Sequence, residues 1–388
     1  MGNIWPTKKL GEICEENIKS PFKVEDATNS GEYPFFTSGD NVLTHNEYLV
    51  DGENIFLATG GYANVKYYNG KASYSADTWS LKVKNELTKF VFYQILARLK
   101  YIDEVLFRGS GLRHLQKKEF LDLEILLPPL PIQQKVVKIL DTVQSSVEIH
   151  DKIIEKTKEL KKSLMAELFK YGGPSFRKGR KLKKTEIGEI PEDWEVVRLG
   201  DEKLFELIMG QSPPSSSYNQ NKKGLPFLQG KAEFGEIYPQ PIKWCDKPIK
   251  VAEKNDILIS VRAPVGDLNL ADQKYCIGRG LAAIRLKNNV DPFFMFNCLN
   301  FFRNQILTYG TGSTFKAITK EILENFLIPL PPLPEQQEIA EILQTIDQKI
   351  EIEQKKKELY EELFKTLLNK IMNQEIDVDS LDLGELEN

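Results

Sequence analysis

Two patterns of apolar and polar positions alternate along the chain. In residues 33–37, 54–58, 65–68 and 78–83, short runs rich in β-branched and aromatic residues are punctuated by Asp51-Gly52, Gly60-Gly61 and Asn69-Gly70. Runs of this length between Gly, Asn and Asp pairs predict short strands joined by turns. Asn69-Gly70, flanked by Val65-Lys66-Tyr67-Tyr68 and Lys71-Ala72-Ser73-Tyr74, predicts a hairpin. A helix over about residues 89–99 follows, then the basic loop Arg108-Gly109-Ser110-Gly111-Leu112-Arg113-His114 and a last strand at 123–127. After Pro128-Pro129-Leu130-Pro131-Ile132-Gln133-Gln134 the period changes, and Val136, Leu140, Val143 and Val147 recur at 4-3-4 spacing. That is the seam of a helix packed on another helix rather than into a wide globular core. Pro131 suits a first helical turn and no breaker appears before Gly172-Gly173-Pro174. The expected helix has about 40 residues and a length of roughly 60 Å.

The same passage returns 203 positions later as Pro331-Pro332-Leu333-Pro334-Glu335-Gln336-Gln337, with Ile339, Leu343, Ile346 and Ile350 on the matching seam. A second helix is expected over 334–372, where Tyr360, Phe364, Leu367 and Ile371 resume the spacing. His150, Glu353 and Lys357 fall on the seam and should loosen its middle or fix its register. The distal segments 156–169 and 355–368 align with a shift of 199, so one copy has four residues, about one helical turn, that the other lacks. Residues 186–330 echo the first globular segment: Trp194 to Gly200 resembles Trp5 to Gly11, Ile257-Leu258-Ile259 resembles Ile55-Phe56-Leu57, and Gly310-Thr311-Gly312 resembles Gly109-Ser110-Gly111.

The fold class expected is α/β, in the mixed α+β sense: a tandem repeat of head plus long helix, with the helices packed as an antiparallel coiled coil about a pseudo-twofold axis. The heads should lie at opposite ends of the pair, with Val143 and Ile346 buried near the helix contact. The expected segments are a head at 1–127, a helix at 128–172, a basic linker at 173–185, a head at 186–330, a helix at 331–372 and an acidic tail at 373–388.

Charge adds that the two heads are close to neutral, while residues 128–185 hold 14 basic against 6 acidic residues and residues 331–388 hold 6 against 15. The two helical segments should therefore attract each other. The cluster at 175–185 reads either as a phosphate-contacting element or as a solvated tether. No apolar run reaches the ~18 residues of a membrane span and the N-terminus lacks a signal peptide's pattern, so the cytoplasm is expected. Cys14, Cys245, Cys276 and Cys298 form no CxxC pair and read as buried thiols. His45, His114 and His150 are too dispersed for a metal site or triad, and there is no P-loop. Ser212-Pro213-Pro214-Ser215 lacks the amide and aromatic of an adenine methyltransferase motif and reads as a loop. No catalytic residue, metal or bound cofactor is expected in this chain.

The order head, Pro-Pro-Leu-Pro-x-Gln-Gln helix, head, Pro-Pro-Leu-Pro-Glu-Gln-Gln helix resembles the DNA specificity subunit of type I restriction-modification systems. The likeness covers the chain up to about Met372, and departs from the motif at Ile132, where the second copy has Glu335. The resemblance implies that each head is a target recognition domain reading half of a split double-stranded DNA sequence, while the helices set the gap. It implies two modification subunits that use S-adenosylmethionine to methylate adenine, and restriction subunits that use ATP and Mg. A non-enzymatic coiled-coil adaptor with two protein-binding heads is the alternative.

Base edges are read by side chains, and phosphates are held by cations and backbone N–H groups on loops. On that ground the candidate DNA contacts are Thr59, Tyr62 and Lys66; Arg108, Ser110, Arg113 and His114; Gln229 and Lys231; Arg262 and Arg279; and Thr311, Ser313 and Lys316. Any one of them could be only a turn or surface residue; as a set they should be enriched in contacts. If the helices act as a ruler, four residues inserted after Leu164 should widen the spacer and leave both half-sites unchanged.

Overall fold

The structure, a computed structural model, describes residues 5–287, 289–308 and 317–381. Four helices organise it: α1 (Thr88–Ala97), α2 (Leu130–Tyr171), α3 (Pro292–Thr308) and α4 (Leu333–Met372). Contacts divide the chain into two compact units, Met1–Asp151 with Gln354–Asn388, and Lys152–Glu353. Each unit therefore holds one head, the start of the long helix that leaves it and part of the other long helix.

In the first unit, β1 (Cys14–Glu16), β2 (Tyr33–Phe36), β3 (Val42–His45), β4 (Glu53–Ala58), β5 (Val65–Asn69), β6 (Ser73–Tyr74) and β7 (Thr78–Val83) form two small sheets. One has the order β1-β7-β4-β5 and the other β3-β2-β6, with β2 and β6 parallel. The hairpin expected at Asn69-Gly70 is not there. The chain instead crosses from one sheet to the other at Gly70, whose φ of +138° suits glycine. β5 pairs with β4, Ala72 bridges Val50, and Ser73 and Tyr74 lie in register with β2, all three buried. Local turn chemistry was right about the turn, but burial of Ala72 to Tyr74 decided the partner strand.

The helix expected at 89–99 is α1, which buries Phe90, Val91, Tyr93 and Ile95. These residues share one core with Leu10, Trp79, Phe120, Val136, Leu140, Leu368, Ile371 and Met372. The seam at Val136 and Leu140 thus packs into the head core as well as on α4. This is wider than the helix-only seam expected from spacing, because a stripe of 4-3-4 positions broadens where Ile132, Val137 and Ile139 flank it. Within this unit Asp151 pairs with Lys357 at 2.5 Å and His150 stacks on Tyr360 at 5.3 Å, while Lys135 donates to the Asp379 carbonyl at 3.2 Å. Rising numbers on α2 meet falling numbers beyond residue 354, so the helices run antiparallel. Residues 373–381 of the acidic tail fold back, with Val378 buried in the core.

The second unit repeats the plan. β8 (Phe205–Met209), β9 (Tyr218–Asn219), β10 (Leu225–Leu228), β11 (Lys243–Cys245), β12 (Val251–Ala252), β13 (Ile257–Ser260), β14 (Leu268–Leu270), β15 (Tyr275–Ile277) and β16 (Leu281–Leu286) give the orders β8-β16-β13-β14 and β9-β11-β10-β15-β12. As in the first head, the one parallel contact within these two sheets, β10 with β15, lies in the second sheet. Ile339 and Leu343 join the head core alongside Leu168, Phe169 and Phe294. Lys161 reaches Asp347 at 2.6 Å and Gly173 N–H donates to Glu335 at 2.9 Å, which is again antiparallel. Of the seam residues, Val143, Val147 and Ile350 are buried and Ile346 is half-buried.

The two helix starts are fastened alike. Gln133 and Gln336 are buried, and each amide donates to a carbonyl of its own proline motif, Pro128 or Pro331, at 2.8 Å. Each also accepts a backbone N–H beside the head helix, Leu87 at 3.1 Å and Asp291 at 2.9 Å. Position five of the motif differs. Ile132 packs on an apolar core, whereas Glu335 is buried, accepts from Trp194 Nε1 at 2.9 Å and pairs with Arg180, which also holds Asp193 at 2.6 Å. The basic linker is therefore built into the unit rather than a bare tether. Arg177 is bonded to Gly172 and Glu167, Lys183 to the Trp194 carbonyl, and residues 182–191 form a hairpin.

Candidate nucleic-acid interface

In the first head the β4–β5 loop meets the segment 107–115 in a short ladder. Gly61 N–H donates to Arg113 O at 2.9 Å and Leu115 N–H to Thr59 O at 3.0 Å, with a bridge between Gly60 and His114. Gly61 takes a φ of +86°, a conformation that suits glycine. Thr59, Tyr62, Arg113 and His114 are thereby brought onto one edge. Thr59 Oγ1 donates to Asp77 O at 2.6 Å, as does Ser38 Oγ. Tyr62 is exposed, and a hydrogen bond to Asp40 raises its phenol above the usual range. Lys66 donates to Thr37 O at 3.0 Å and to Gly39 O, and burial lowers its pKa.

The cations of this loop cluster are largely neutralised. Arg108 makes a bidentate pair with Glu119 at 2.8 and 2.7 Å, and Arg113 pairs with Asp103 at 3.1 Å. Both are positioned by carboxylates before any ligand arrives. Ser110 is exposed at the loop tip. Sequence reasoning missed Asp40, Asn64 and Ser38, which tie the 37–40 turn to this edge; Asn64 Nδ2 donates to Asp40 at 2.9 Å. Short polar residues beside a Gly-Gly turn were the available signal.

In the second head the equivalent ladder links Arg262 with Ala317, and Ile318 N–H donates to Val261 O at 2.8 Å. Thr311, Ser313 and Lys316 lie outside the described residues. Gln229 and Arg279 follow the parallel neighbours β10 and β15 and meet at Ser212, which sequence reasoning had left in a plain loop. Ser212 Oγ accepts Gln229 Nε2 and Arg279 N–H, both at 3.1 Å. Lys231 pairs with Asp267 at 2.6 Å, and Arg303 reaches the same carboxylate at 2.5 Å. The two edges are thus alike in backbone and different in side chains.

Residues 3–159 and 191–362 match the family described as the type I restriction modification DNA specificity domain. The chain belongs to that family. The MjaX type I restriction enzyme specificity subunit of Methanocaldococcus jannaschii is 46% identical over 81% of this chain and 75% of its own. A chain solved for the complex assembly and conformational transition of a type I R-M system is 28% identical, covering 95% of this chain and 98% of that one with a TM-score of 0.60. The type I S subunit from M. genitalium, 18% identical with a TM-score of 0.67 over 95% and 96% of the two chains, shares the fold. For a type I specificity subunit the arrangement is coherent: one scaffold occurs twice, and the corresponding edges of the two heads carry different side chains. Among the described residues no helix is long and apolar enough to cross a membrane and no group of three His, Cys, Asp or Glu could hold a metal.

Proposed function

We propose that this chain reads a split double-stranded DNA target, one half per head, and holds two modification subunits that methylate adenine with S-adenosylmethionine. Restriction subunits using ATP and Mg join the same complex, and the chain itself performs no catalysis. The observation that carries this reading is the contrast between repeated helices and divergent edges. Ile149 and Ile352, equivalent in the repeat, are 54% and 51% exposed; Leu160 and Leu359, also equivalent, are 52% and 65% exposed. A repeated apolar surface suits two copies of one partner, whereas unlike edges suit two different half-sites.

The test is to co-express the chain with its modification subunits, map N6-methyladenine across the host genome, and weigh the complex by native mass spectrometry. The expected outcome is a bipartite motif with a fixed spacer and two modification subunits per chain. Methylation at a continuous motif, or one partner bound at saturation, would reject the reading.

A further inference from the structure

Of the ten arginines in the sequence, eight make a side-chain hydrogen bond or ion pair: Arg98 with Gln94, Arg108 with Glu119, Arg113 with Asp103, Arg177 with Glu167, Arg180 with Glu335, Arg198 with Asn325, Arg285 with Asp256 and Arg303 with Asp267. Arg262 and Arg279 make none among the described residues, and both are exposed. They are also neighbours. The β13–β16 ladder continues one step past its strands, with Val261 N–H donating to Gly280 O at 2.9 Å, so Arg262 and Arg279 stand on adjoining segments. As cross-strand neighbours at the end of an antiparallel ladder they carry like charge, and no carboxylate is bonded to either among the described residues.

The third member is Gln229. β10 and β15 are parallel, so Gln229 and Gly278 leave the sheet side by side, joined by Gly278 N–H to Leu228 O at 2.8 Å. The backbone there is too crowded to give way. A Cβ on Gly280 would lie 2.5 Å from the Gln229 carbonyl, and one on Gly210 would collide with Gly278. Ser212 Oγ takes one amide hydrogen of Gln229 and the backbone N–H of Arg279, and among the described residues the Gln229 side chain has no other bond. Glutamine pairs with adenine N6/N7 and arginine with guanine O6/N7 in the major groove, and an amide with one hydrogen held by Ser212 and a guanidinium unpaired among the described residues keep the donors and acceptor those pairings need.

The first head lacks all three readers. The bonds Thr59 N–H to Asp77 O and Ser75 N–H to Phe36 O correspond to Val261 N–H to Gly280 O and Gly278 N–H to Leu228 O. That correspondence puts Gly60, Ala76 and Thr37 where the second head has Arg262, Arg279 and Gln229. We propose that Gln229 and Arg279, with Arg262 beside them, are the base-reading residues of the second head, and that Ser212 is a positioning residue that sets the Gln229 amide. This rests on the DNA-reading function proposed above and assigns one half-site to one set of side chains.

The test uses the complex of full chain and modification subunits, with methylation-site mapping of Gln229→Ala, Arg279→Ala, Ser212→Ala and Ser212→Thr beside wild type. Gln229→Ala and Arg279→Ala should each relax one position of the same half-site, discrimination at that position falling roughly 5- to 150-fold, with the other half-site and the spacer unchanged. Ser212→Ala should relax the Gln229 position, and Ser212→Thr, which keeps the hydroxyl, should restore it. Thermal unfolding of each variant checks that the second unit is intact. An unaltered motif in Gln229→Ala and Arg279→Ala would overturn the assignment, as would a uniform drop at every site, the mark of phosphate contacts. If the wild-type complex methylates no split site, the function itself fails and this assignment with it, a result distinct from an unaltered motif.

Discussion

Glu335 offers the sharpest test of how the second unit is held. Its carboxylate is fully buried and bonds Arg180, Trp194 Nε1 and Gly173 N–H, joining the start of α4 to the linker after α2. Arg180 is 8% exposed at its side chain, and its pKa is raised chiefly by the hydrogen bond to Glu335. Replacing Glu335 with Ala leaves that guanidinium without its main partner, and breaking such a buried pair costs about 3–5 kcal/mol. Arg180 keeps Asp193 at 2.6 Å, which is half-exposed, so the loss belongs at the lower end, about 3 kcal/mol. In a domain of this size about 1 kcal/mol moves the midpoint by about 2–4 °C, giving a fall of about 6–12 °C for the second unit. Scanning calorimetry measures it, and hydrogen exchange over residues 173–194 tells local loosening from loss of the unit. The double variant Glu335→Ile with Arg180→Leu imitates the apolar solution at Ile132. It should recover more than half of the loss, since a buried pair exchanged for apolar groups is often neutral. A fall below about 2 °C for Glu335→Ala, or a double variant no better than the single one, would refute the reasoning.

Three further outcomes follow from the same geometry. Gln133→Ala and Gln336→Ala each remove a buried amide that bolts a helix start to its head, so each should cost about 1–3 kcal/mol, by similar amounts in urea unfolding. Four residues inserted into α2 should widen the methylation spacer by about two base pairs without altering either half-site, as mapped on the modified genome. The insertion belongs between Asp151 and Lys152, at the unit boundary, with four matching residues between Glu353 and Gln354 of α4, because lengthening α2 alone would throw the antiparallel pairs Asp151–Lys357 and Lys161–Asp347 out of register with each other. Burial pushes the thiols of Cys14 and Cys276 up to about 12 and raises that of Cys298, so native protein at about pH 8 should resist iodoacetamide at all three until denatured. Mass mapping of the adducts reads this out.

Much of the architecture was legible in the residues themselves. The 4-3-4 spacing of Val136 to Val147 and Ile339 to Ile350, the two proline motifs and the alternating short apolar runs are local signals, and helix and strand period depend on neighbours a few positions away. The repeat gave the tandem plan for the same reason. What the tertiary structure decided involves partners far apart in sequence. Burial of Ala72 to Tyr74 sent that segment to β2 instead of across the Asn69-Gly70 turn. The seam at Val136 and Leu140 proved to be shared with a head core, since spacing defines a stripe but not what covers it. Arg108 and Arg113 look as free in the sequence as Arg262 and Arg279, yet Glu119 and Asp103 occupy the first two. Ser212 reads in the sequence only as part of a Ser-Pro-Pro-Ser loop; it matters because the ends of two parallel strands converge on it. Charge compensation and strand-end convergence are set by the folded path of the chain, and that path fixes which polar groups are left for a ligand.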